Sequence, residues 1–183
     1  MKRILFAALL GMFLASSTAA EVEKFMQIGD GNLRPVFRLK FTPPQGWEAN
    51  AEGTKHFGLP TYVPKGQSFH HALAVVYVRV SYNENKRPIE AFIEVSQERW
   101  RNKVKDTQVT KVAGEKRANG LPDFIVYRLH NPSHPAQAYE MLAYGVDKDK
   151  DGNDYFVMIS MTAMTQKAID GAEVAFRAAL RTH

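Results

Sequence analysis

The chain has 183 residues, contains no cysteine, and carries 24 lysines and arginines against 19 acidic residues. This length suffices for one domain with a substantial core and is short for two. The lack of cysteine excludes disulfides, and it excludes a bacterial lipoprotein, whose lipid is attached to a cysteine at the cleavage point. The mild positive charge is spread along the chain, so it does not indicate nucleic-acid binding, which needs a concentrated basic face.

The first twenty residues have the three-part pattern of a secretory signal peptide. Two cations, Lys2 and Arg3, precede an apolar run over residues 4–14, and small residues follow. The run is shorter than the roughly 20 apolar residues that a membrane-spanning helix needs, so we predict cleavage after Ala19 or Ala20. The sequence therefore predicts a soluble product in the periplasm or outside the cell. Its formal charge falls from +5 to +3, because the two cations leave with the leader.

The part of the chain behind the leader begins with weak signals. Residues 21–35 are predicted to be a flexible segment, and residues 36–183 to form a single α+β domain. Strict alternation of polar and apolar residues predicts a strand from Val36 to Phe41. The stretch from Ala49 to Gln67 is rich in glycine and proline, which predicts a loop with one short strand from Thr61 to Val63.

The strongest strand signal covers Leu73 to Tyr82. Both faces of this strand are apolar, so it is predicted to lie centrally in a sheet that is covered on both sides. Helices that could cover the sheet are predicted in two places. Pro88 suits the first helical position, and apolar residues then recur at helical spacing up to Val104. A second apolar stripe predicts a C-terminal helix from Gln166 to Leu180, capped by Thr165.

Four further strands are predicted between these helices. Their ranges are Gln108 to Ala113, Asp123 to His130, Ala138 to Val146 and Tyr155 to Ala163. The connections between them are too short for the crossover that parallel neighbours require. The element order therefore predicts a mostly antiparallel β-sheet sandwiched between helices, an α/β/α arrangement of the α+β class.

This element order, together with the run Phe41-Thr42-Pro43-Pro44-Gln45-Gly46-Trp47 after an early strand, resembles the PsbP/Mog1-like superfamily. The resemblance would cover about residues 36 to 181. It implies a fold used mainly for binding and assembly, in photosystem accessory subunits, nuclear-transport factors and bacterial envelope or secretion-linked proteins. It implies no catalytic residues, since the superfamily has no shared catalytic motif.

The sharpest chemical pattern lies between the last two predicted strands and is similar to the start of a calcium-binding loop. Asp147, Asp149 and Asp151 stand at the first, third and fifth positions, with Gly152 at the sixth. Met158 takes the twelfth position, where a bidentate glutamate belongs, so a complete helical calcium hand is excluded. The three aspartates stay as a candidate calcium site. The alternative is a solvated hairpin loop, in which charged residues and glycine favour the turn.

Methionines and histidines supply other candidate metal ligands. These residues are Met158, Met161, Met164, His70, His71, His130 and His134. The methionine spacing is one used for monovalent copper, but strand alternation places the middle methionine on the opposite face, which favours packing in the core. Alternation also separates the first histidine pair, and prolines interrupt the second.

Catalytic motifs are missing from the sequence. There is no G-x-S-x-G, S-x-x-K or H-E-x-x-H motif and no phosphate-binding glycine loop, although dispersed residues could still assemble a hydrolase site. Trp100, with Arg99, Arg101, Lys103 and Lys105, could form a basic recognition face. The helical periodicity instead favours Trp100 in the core and the cations in solvent.

The sequence as a whole favours an exported, soluble, non-enzymatic binding or accessory protein of a bacterial cell envelope. The expected partner is an envelope or secretion-linked protein, with no nucleic acid, no stable membrane anchor and no cofactor. Two alternatives stay open: a periplasmic protein that binds calcium or copper, and a hydrolase with a dispersed site.

Overall fold

The computed structural model describes residues 22–29 and 32–183, so the predicted signal peptide lies outside the described residues. The strands are β1 (Val22–Gly29), β2 (Asn32–Leu39), β3 (Trp47–Ala49), β4 (Thr61–Pro64), β5 (Ala74–Tyr82), β6 (Gln108–Glu115), β7 (Phe124–His130), β8 (Tyr139–Lys148) and β9 (Asp154–Ala163). The α-helices are α1 (Ala51–Phe57), α2 (Ile89–Lys103) and α3 (Gln166–Thr182). These elements confirm the predicted α+β class.

The larger of two sheets has its strands in the order β3-β4-β5-β9-β8-β7-β6. Every neighbouring pair is antiparallel. β6 to β9 form the predicted meander, because their connections are too short to join parallel neighbours. β5 then pairs with β9 along its whole length, with Ala74 opposite Ala163 and Tyr82 opposite Tyr155. The last strand in the chain therefore lies in the middle of the sheet.

Helices cover both faces of this sheet, as the sequence predicted. On one face α3 packs its side chains Ile169 and Phe176 against the core residues of β5, β8 and β9. On the other face α2 packs Ile93 against Tyr77 and Tyr144. We call these the α3 face and the α2 face. β9 is buried from its second residue to its last, because both of its sides are covered.

The two long helices begin close to their predicted start residues. Thr165 caps α3, because its side-chain oxygen accepts a hydrogen bond from the Ala168 N–H at 3.2 Å. Pro88 differs from its predicted place by one residue. Its ψ of 152° is extended, so Pro88 precedes the helix as its N-cap residue and Ile89 is the first helical residue. No helix among the described residues is long and apolar enough to span a membrane.

The short helix α1 lies in the stretch predicted to be a loop. Its start is capped by Asn50, whose Oδ1 accepts the Gly53 N–H at 2.7 Å, and it ends at Gly58, which has φ 66°. Gly53 lies so close to β4 that a Cβ atom there would come within 2.6 Å of the Thr61 side chain. Seven residues with one buried member give no apolar stripe, which explains why periodicity did not predict this helix.

The first described residues form a hairpin, of which the sequence pattern predicted only the part of the second strand from Val36 onward. β1 and β2 pair over eight residues each and form the small sheet. Val22 and Leu39, at the base of the hairpin, are buried in the core of the α3 face. Val22 also bridges to Asp149. The hairpin occupies much of segment 21–35, whose flexibility stays a prediction.

Candidate binding cleft

A cleft opens on the α2 face of the large sheet and has a volume of about 450 Å³. We call it the binding cleft. One wall is α2 from Phe92 to Lys103, and the other is β5 from Tyr77 to Ser81 with the loop that follows it. Phe57 of α1 stacks on Tyr77 with 5.3 Å between ring centroids. The cleft therefore lies where the sheet surface between α1 and α2 is left uncovered.

Four cationic side chains line this cleft: Arg79, Arg87, Arg99 and Lys103. We call them the cleft cations. None of them makes an ion pair within 4 Å of an acidic side chain among the described residues. A single carboxylate residue, Glu84, also lines the cleft. Four cations facing one carboxylate give the cleft a positive potential, which attracts anionic ligands.

Aromatic rings supply the apolar part of the cleft. Phe92 stacks on Phe156 with ring centroids 4.6 Å apart and planes 10° from parallel. Trp100 is partly buried, and the Lys103 Nζ lies 5.2 Å from the centroid of its ring. This arrangement places an ammonium group against an indole face, which favours the cation energetically. The cleft can therefore offer both charge and apolar area to one ligand.

The geometry of α2 explains which of the predicted basic residues reach the cleft. Arg99 and Lys103 are four residues apart, so they lie on one side of the helix beside Trp100. Arg101 lies elsewhere, and its Nη2 donates a hydrogen bond to Gln97 at 3.2 Å. Lys105 follows the end of the helix. Trp100 lies in the apolar stripe as predicted, yet it also lines the cleft together with two of the cations that were predicted to be merely solvated.

The other two cleft cations were not identified from the sequence. Arg79 is the one cation inside the apolar strand Ala74–Tyr82. A cation in an otherwise apolar strand was the sequence signal that could have pointed to a functional role. Arg87 is held by the loop before α2. There the Asn83 Oδ1 accepts the Arg87 N–H at 2.8 Å, and the Asn83 Nδ2 donates to the Arg87 carbonyl at 2.9 Å. These two hydrogen bonds fix the backbone that carries the Arg87 guanidinium.

A buried carboxylic acid lies under α2 on the same face of the sheet. Glu140 of β8 is 1% exposed, and its Oε1 accepts a hydrogen bond from the Thr162 hydroxyl at 3.4 Å. Its Oε2 has no hydrogen-bond partner among the described residues. Burial raises the pKa of Glu140 to about 8, while the Thr162 hydrogen bond and the Lys103 charge act in the opposite direction. The side chain is therefore largely uncharged at neutral pH.

Burial also shifts the pKa values of two tyrosines next to this acid. Burial raises the pKa of Tyr77, and the nearby Glu140 carboxylate raises it further. Burial raises the pKa of Tyr144 to about 12, against a hydrogen bond between its hydroxyl and Ser96 at 3.0 Å. Both phenols thus stay neutral at physiological pH.

The predicted calcium ligands Asp147, Asp149 and Asp151 do not share one open site. The carboxylate of Asp147 is 0% exposed, and its Oδ1 accepts a hydrogen bond from the Arg117 Nη2 at 2.7 Å. Its Oδ2 lies 3.5 Å from the His183 Nε2. The Asp151 side chain is exposed. No group of three His, Cys, Asp or Glu side chains is placed to hold a metal ion among the described residues.

Asp149 organises the turn of this loop. Its carboxylate accepts hydrogen bonds from the backbone N–H groups of Asp151 and Asn153 at 2.9 and 3.0 Å, and from the Tyr155 hydroxyl at 2.8 Å. Burial alone would raise the pKa of Asp149, but the hydrogen bonds outweigh it and lower the pKa to about 2. These contacts hold the turn between β8 and β9, and both the calcium site and the solvated hairpin loop stay predictions.

The methionines and histidines are likewise not brought together. Met158 is buried on the α2 face and Met161 on the α3 face, while Met164 is 60% exposed beyond the strand. Strand alternation therefore separates the sulfurs, as predicted. The His70 Nε2 lies 2.8 Å from the Glu52 Oε1. His130 of β7 stacks on Tyr139 of β8, and β9 separates β8 from the strand that follows the first histidine pair, β5. The described part of the chain gives these histidines no common ligand site.

The cleft contains serines but no histidine among its described lining residues, so it offers no serine–histidine pair of the kind that activates a nucleophile. The chain matches no protein-family model and no curated protein.

Proposed function

We propose that this protein is an exported, non-enzymatic binding protein of a bacterial cell envelope, and that it recognises an acidic segment of a partner protein in the binding cleft. The observation that carries the proposal is the set of four cleft cations that have no carboxylate partner within residues 22–29 and 32–183. Clustered cations repel one another, and an acidic ligand removes this repulsion.

The α3 face provides an internal comparison for these cations. Arg128 there pairs with Asp170 and Glu173, both at 2.6 Å. Arg177 pairs with Glu115 at 3.0 Å and with Glu173 at 2.8 Å. The fold thus provides carboxylate partners where arginines hold elements together. The cleft cations, which have no carboxylate partner in the described part of the chain, are better explained as contacts for a ligand.

The length of the cleft favours a peptide segment over a small anion. The lining part of α2 runs from Phe92 to Lys103, which corresponds to about 16 Å along a helix axis. An extended chain of about five residues spans this distance. Partly buried Trp100 and the Phe92 ring could contact an apolar side chain of the segment, since aromatic residues and arginine dominate binding energy at protein interfaces.

The export and family proposals rest on separate observations. The leader pattern of residues 1–20 supports delivery to the periplasm or the cell exterior, where the partner would be an envelope or secretion-linked protein. The antiparallel sheet between helices and the Pro43-Pro44-Gln45-Gly46-Trp47 turn support the proposed resemblance to the PsbP/Mog1-like superfamily. That resemblance would place this chain in a fold used for binding.

A peptide titration tests the proposed function. The chain without residues 1–20 is titrated against a rhodamine-labelled peptide of five acidic residues around one phenylalanine, and against the same peptide with Gln and Asn in place of Glu and Asp. Fluorescence anisotropy at pH 6.5 should show binding of the acidic peptide only. This binding should weaken as salt increases, because it depends on ionic contacts.

Two double variants locate the site. Arg99→Glu with Lys103→Glu should weaken binding by about tenfold or more, as expected when two favourable ionic contacts become repulsive. Lys111→Glu with Lys167→Glu is the matched control, because it makes the same charge change at exposed residues outside the cleft. Equal affinity for both peptides, or equal loss in both double variants, would contradict the proposal.

A further inference from the structure

The strand β5 is fully paired on one side only. On the β9 side all of its residues have partners. On the other side β4 pairs with Val76 and Tyr77, and the Val78 N–H donates one further hydrogen bond to the Pro60 carbonyl at 3.1 Å. Beyond this point no strand in the described part of the chain is hydrogen-bonded to β5 on this side. We call residues 78–82, along this side, the open edge.

The hydrogen bonds of β5 show which backbone groups point to the open edge. The Asn83 N–H, one residue past the strand, donates to the Asp154 carbonyl at the start of β9 at 2.9 Å, whereas the Val78 N–H donates toward the β4 side. Backbone groups alternate in direction along an antiparallel strand, so the odd-numbered residues bond to β9. The N–H and C=O groups of Val80 and Tyr82 therefore point to the open edge, where no described residue bonds to them.

Side chains along the open edge alternate between two recesses. Arg79 and Ser81 face the binding cleft. Val78 and Val80 face the α3 side, where a groove of about 430 Å³ lies between β5, the hairpin strand β2 and the residues that lead into β4. We call it the hairpin groove, and its lining is mostly apolar, with Phe37, Leu59 and Tyr62 among its members. A strand added at the open edge would have one row of side chains in each recess.

The two outer edges of the large sheet are protected against pairing with another chain. β6 carries Lys111 and a register shift between Val112 and Glu115, and β3 has only three residues. Charged side chains, bulges and short strands all disfavour edge pairing. The open edge has a regular register with β9, and its one cation, Arg79, is a cleft cation. It is therefore suited to accept a strand that carries acidic side chains.

We propose that the acidic segment binds as an added antiparallel strand along the open edge, and that its acidic residues alternate with apolar ones. Its backbone exchanges hydrogen bonds with Val80 and Tyr82. The residues opposite these two place apolar side chains in the hairpin groove, while the residue opposite Arg79 places a carboxylate among the cleft cations. This inference rests on the proposed function, because it specifies the conformation and the sequence pattern of the same ligand.

The first test compares two rhodamine-labelled peptides of equal composition, both with amidated ends. One alternates Glu and Val over seven residues and begins and ends with Glu. The other has four Glu followed by three Val. In anisotropy titrations at pH 6.5 with the chain without residues 1–20, the alternating peptide should bind about tenfold more tightly, because only its pattern fills both recesses with matching side chains.

Backbone methylation of the alternating peptide tests the strand pairing itself. Methyl groups on the three Val nitrogens replace the N–H groups that face Val80 and Tyr82, so affinity should fall about tenfold or more through lost hydrogen bonds. Methyl groups on the nitrogens of the three Glu residues that follow a Val are the matched control. Their N–H groups point away from β5, so affinity should change by less than about twofold. Equal losses, or a larger loss in the control, would overturn the inference.

Hydrogen exchange measured by NMR gives an independent readout on the unaltered protein. The Arg79 and Ser81 amides bond to β9 and should exchange slowly with or without peptide. The Val80 and Tyr82 amides should exchange faster in the free protein and at least about tenfold more slowly with saturating alternating peptide. Unchanged exchange of these two amides in the peptide complex would overturn the inference.

The outcomes separate this inference from the proposed function. If neither these peptides nor the peptide of five acidic residues around one phenylalanine binds, both proposals fail. If that acidic peptide binds but the alternating and block peptides bind equally, the inference alone fails, because charge then acts without strand pairing. A dimer of the free protein in analytical ultracentrifugation, with the Val80 and Tyr82 amides already protected, would also overturn it, since a second copy would then occupy the open edge.

Discussion

Both faces of the large sheet bury apolar side chains, but they differ in whether their cationic side chains pair with carboxylates. On the α3 face Arg128 and Arg177 each contact two carboxylates, and these ion pairs join α3 to β6 and β7. On the α2 face the cleft cations have no carboxylate partner among the described residues. This difference in charge pairing is the basis on which we propose the α2 face as the ligand-binding side.

The largest expected effect tests whether the apolar core of the α3 face stabilises the fold. Phe176 is 0% exposed in the core under α3, so Phe176→Ala should lower the free energy of unfolding by about 4 kcal/mol through lost burial and the cavity left behind. Urea unfolding measures this change. Val174→Ala on the same helix is the control, because Val174 is 75% exposed. A loss below about 1 kcal/mol for Phe176→Ala would contradict the assigned core.

The buried ion pair on the α3 face should have the next largest effect. Arg117 donates to Asp147 and its guanidinium lies 4.5 Å from the Phe124 ring centroid. Arg117→Met should lower the free energy of unfolding by about 3 kcal/mol, because it leaves the Asp147 charge buried without its partner. Adding Asp147→Leu should restore much of the loss, since no charge is then buried. If the double variant is no more stable than the single one, the ion pair is not the cause.

The buried acid gives a smaller effect with a distinctive pH dependence. Its pKa is raised from 4.5 in the unfolded chain to about 8 in the folded protein. Between these values the folded state holds one more proton than the unfolded state, so stability falls as pH rises. Glu140→Gln has no carboxyl group to titrate, so it should not lose stability in this way. The difference in free energy of unfolding between the variant and the wild type should therefore shift in favour of the variant by roughly 2 kcal/mol from pH 6 to pH 8. Urea unfolding at both pH values measures it, and identical pH dependence in both proteins would contradict the assignment.

The smallest effect on stability is expected in the cleft itself. Arg99→Glu with Lys103→Glu should change the free energy of unfolding by less than about 0.5 kcal/mol, because these side chains make no ion pair with the described residues. Urea unfolding should therefore show a normal protein whose peptide binding is impaired. A loss as large as that of Arg117→Met would mean that the cleft cations hold the fold together instead.

The sequence predicted those elements whose hydrophobic pattern is long and regular. β7, β8, β9, α2 and α3 match their predicted ranges within two residues at most boundaries, because each presents a complete apolar face. α1 was not predicted because it has one buried residue. β1 was not predicted because most of its described side chains are exposed. Both elements are held by local hydrogen bonds, which the spacing of apolar residues does not reveal.

The candidate site was harder to predict because it depends on tertiary contacts. The sequence offered Trp100 and its neighbouring cations as a possible basic face, but the periodicity favoured Trp100 in the core and the cations in solvent. In the structure the same turn of α2 both packs on the sheet and lines the cleft. Arg79 reaches the cleft only because the register of β5 places it on the α2 face. In the aspartate loop, Asp147 pairs with Arg117, thirty residues earlier in the chain, and the spacing within the loop does not indicate this contact.

The most direct test of the account is to map where the acidic peptide contacts the protein. In ¹⁵N-¹H NMR spectra of the chain without residues 1–20 at pH 6.5, the acidic peptide should shift the Trp100 indole signal and the backbone signals of Arg79, Arg99 and Lys103. Signals of α3 should stay in place. Shifts confined to the α3 face, or equal shifts with the Gln and Asn peptide, would contradict the claim that the cleft cations recognise an acidic partner.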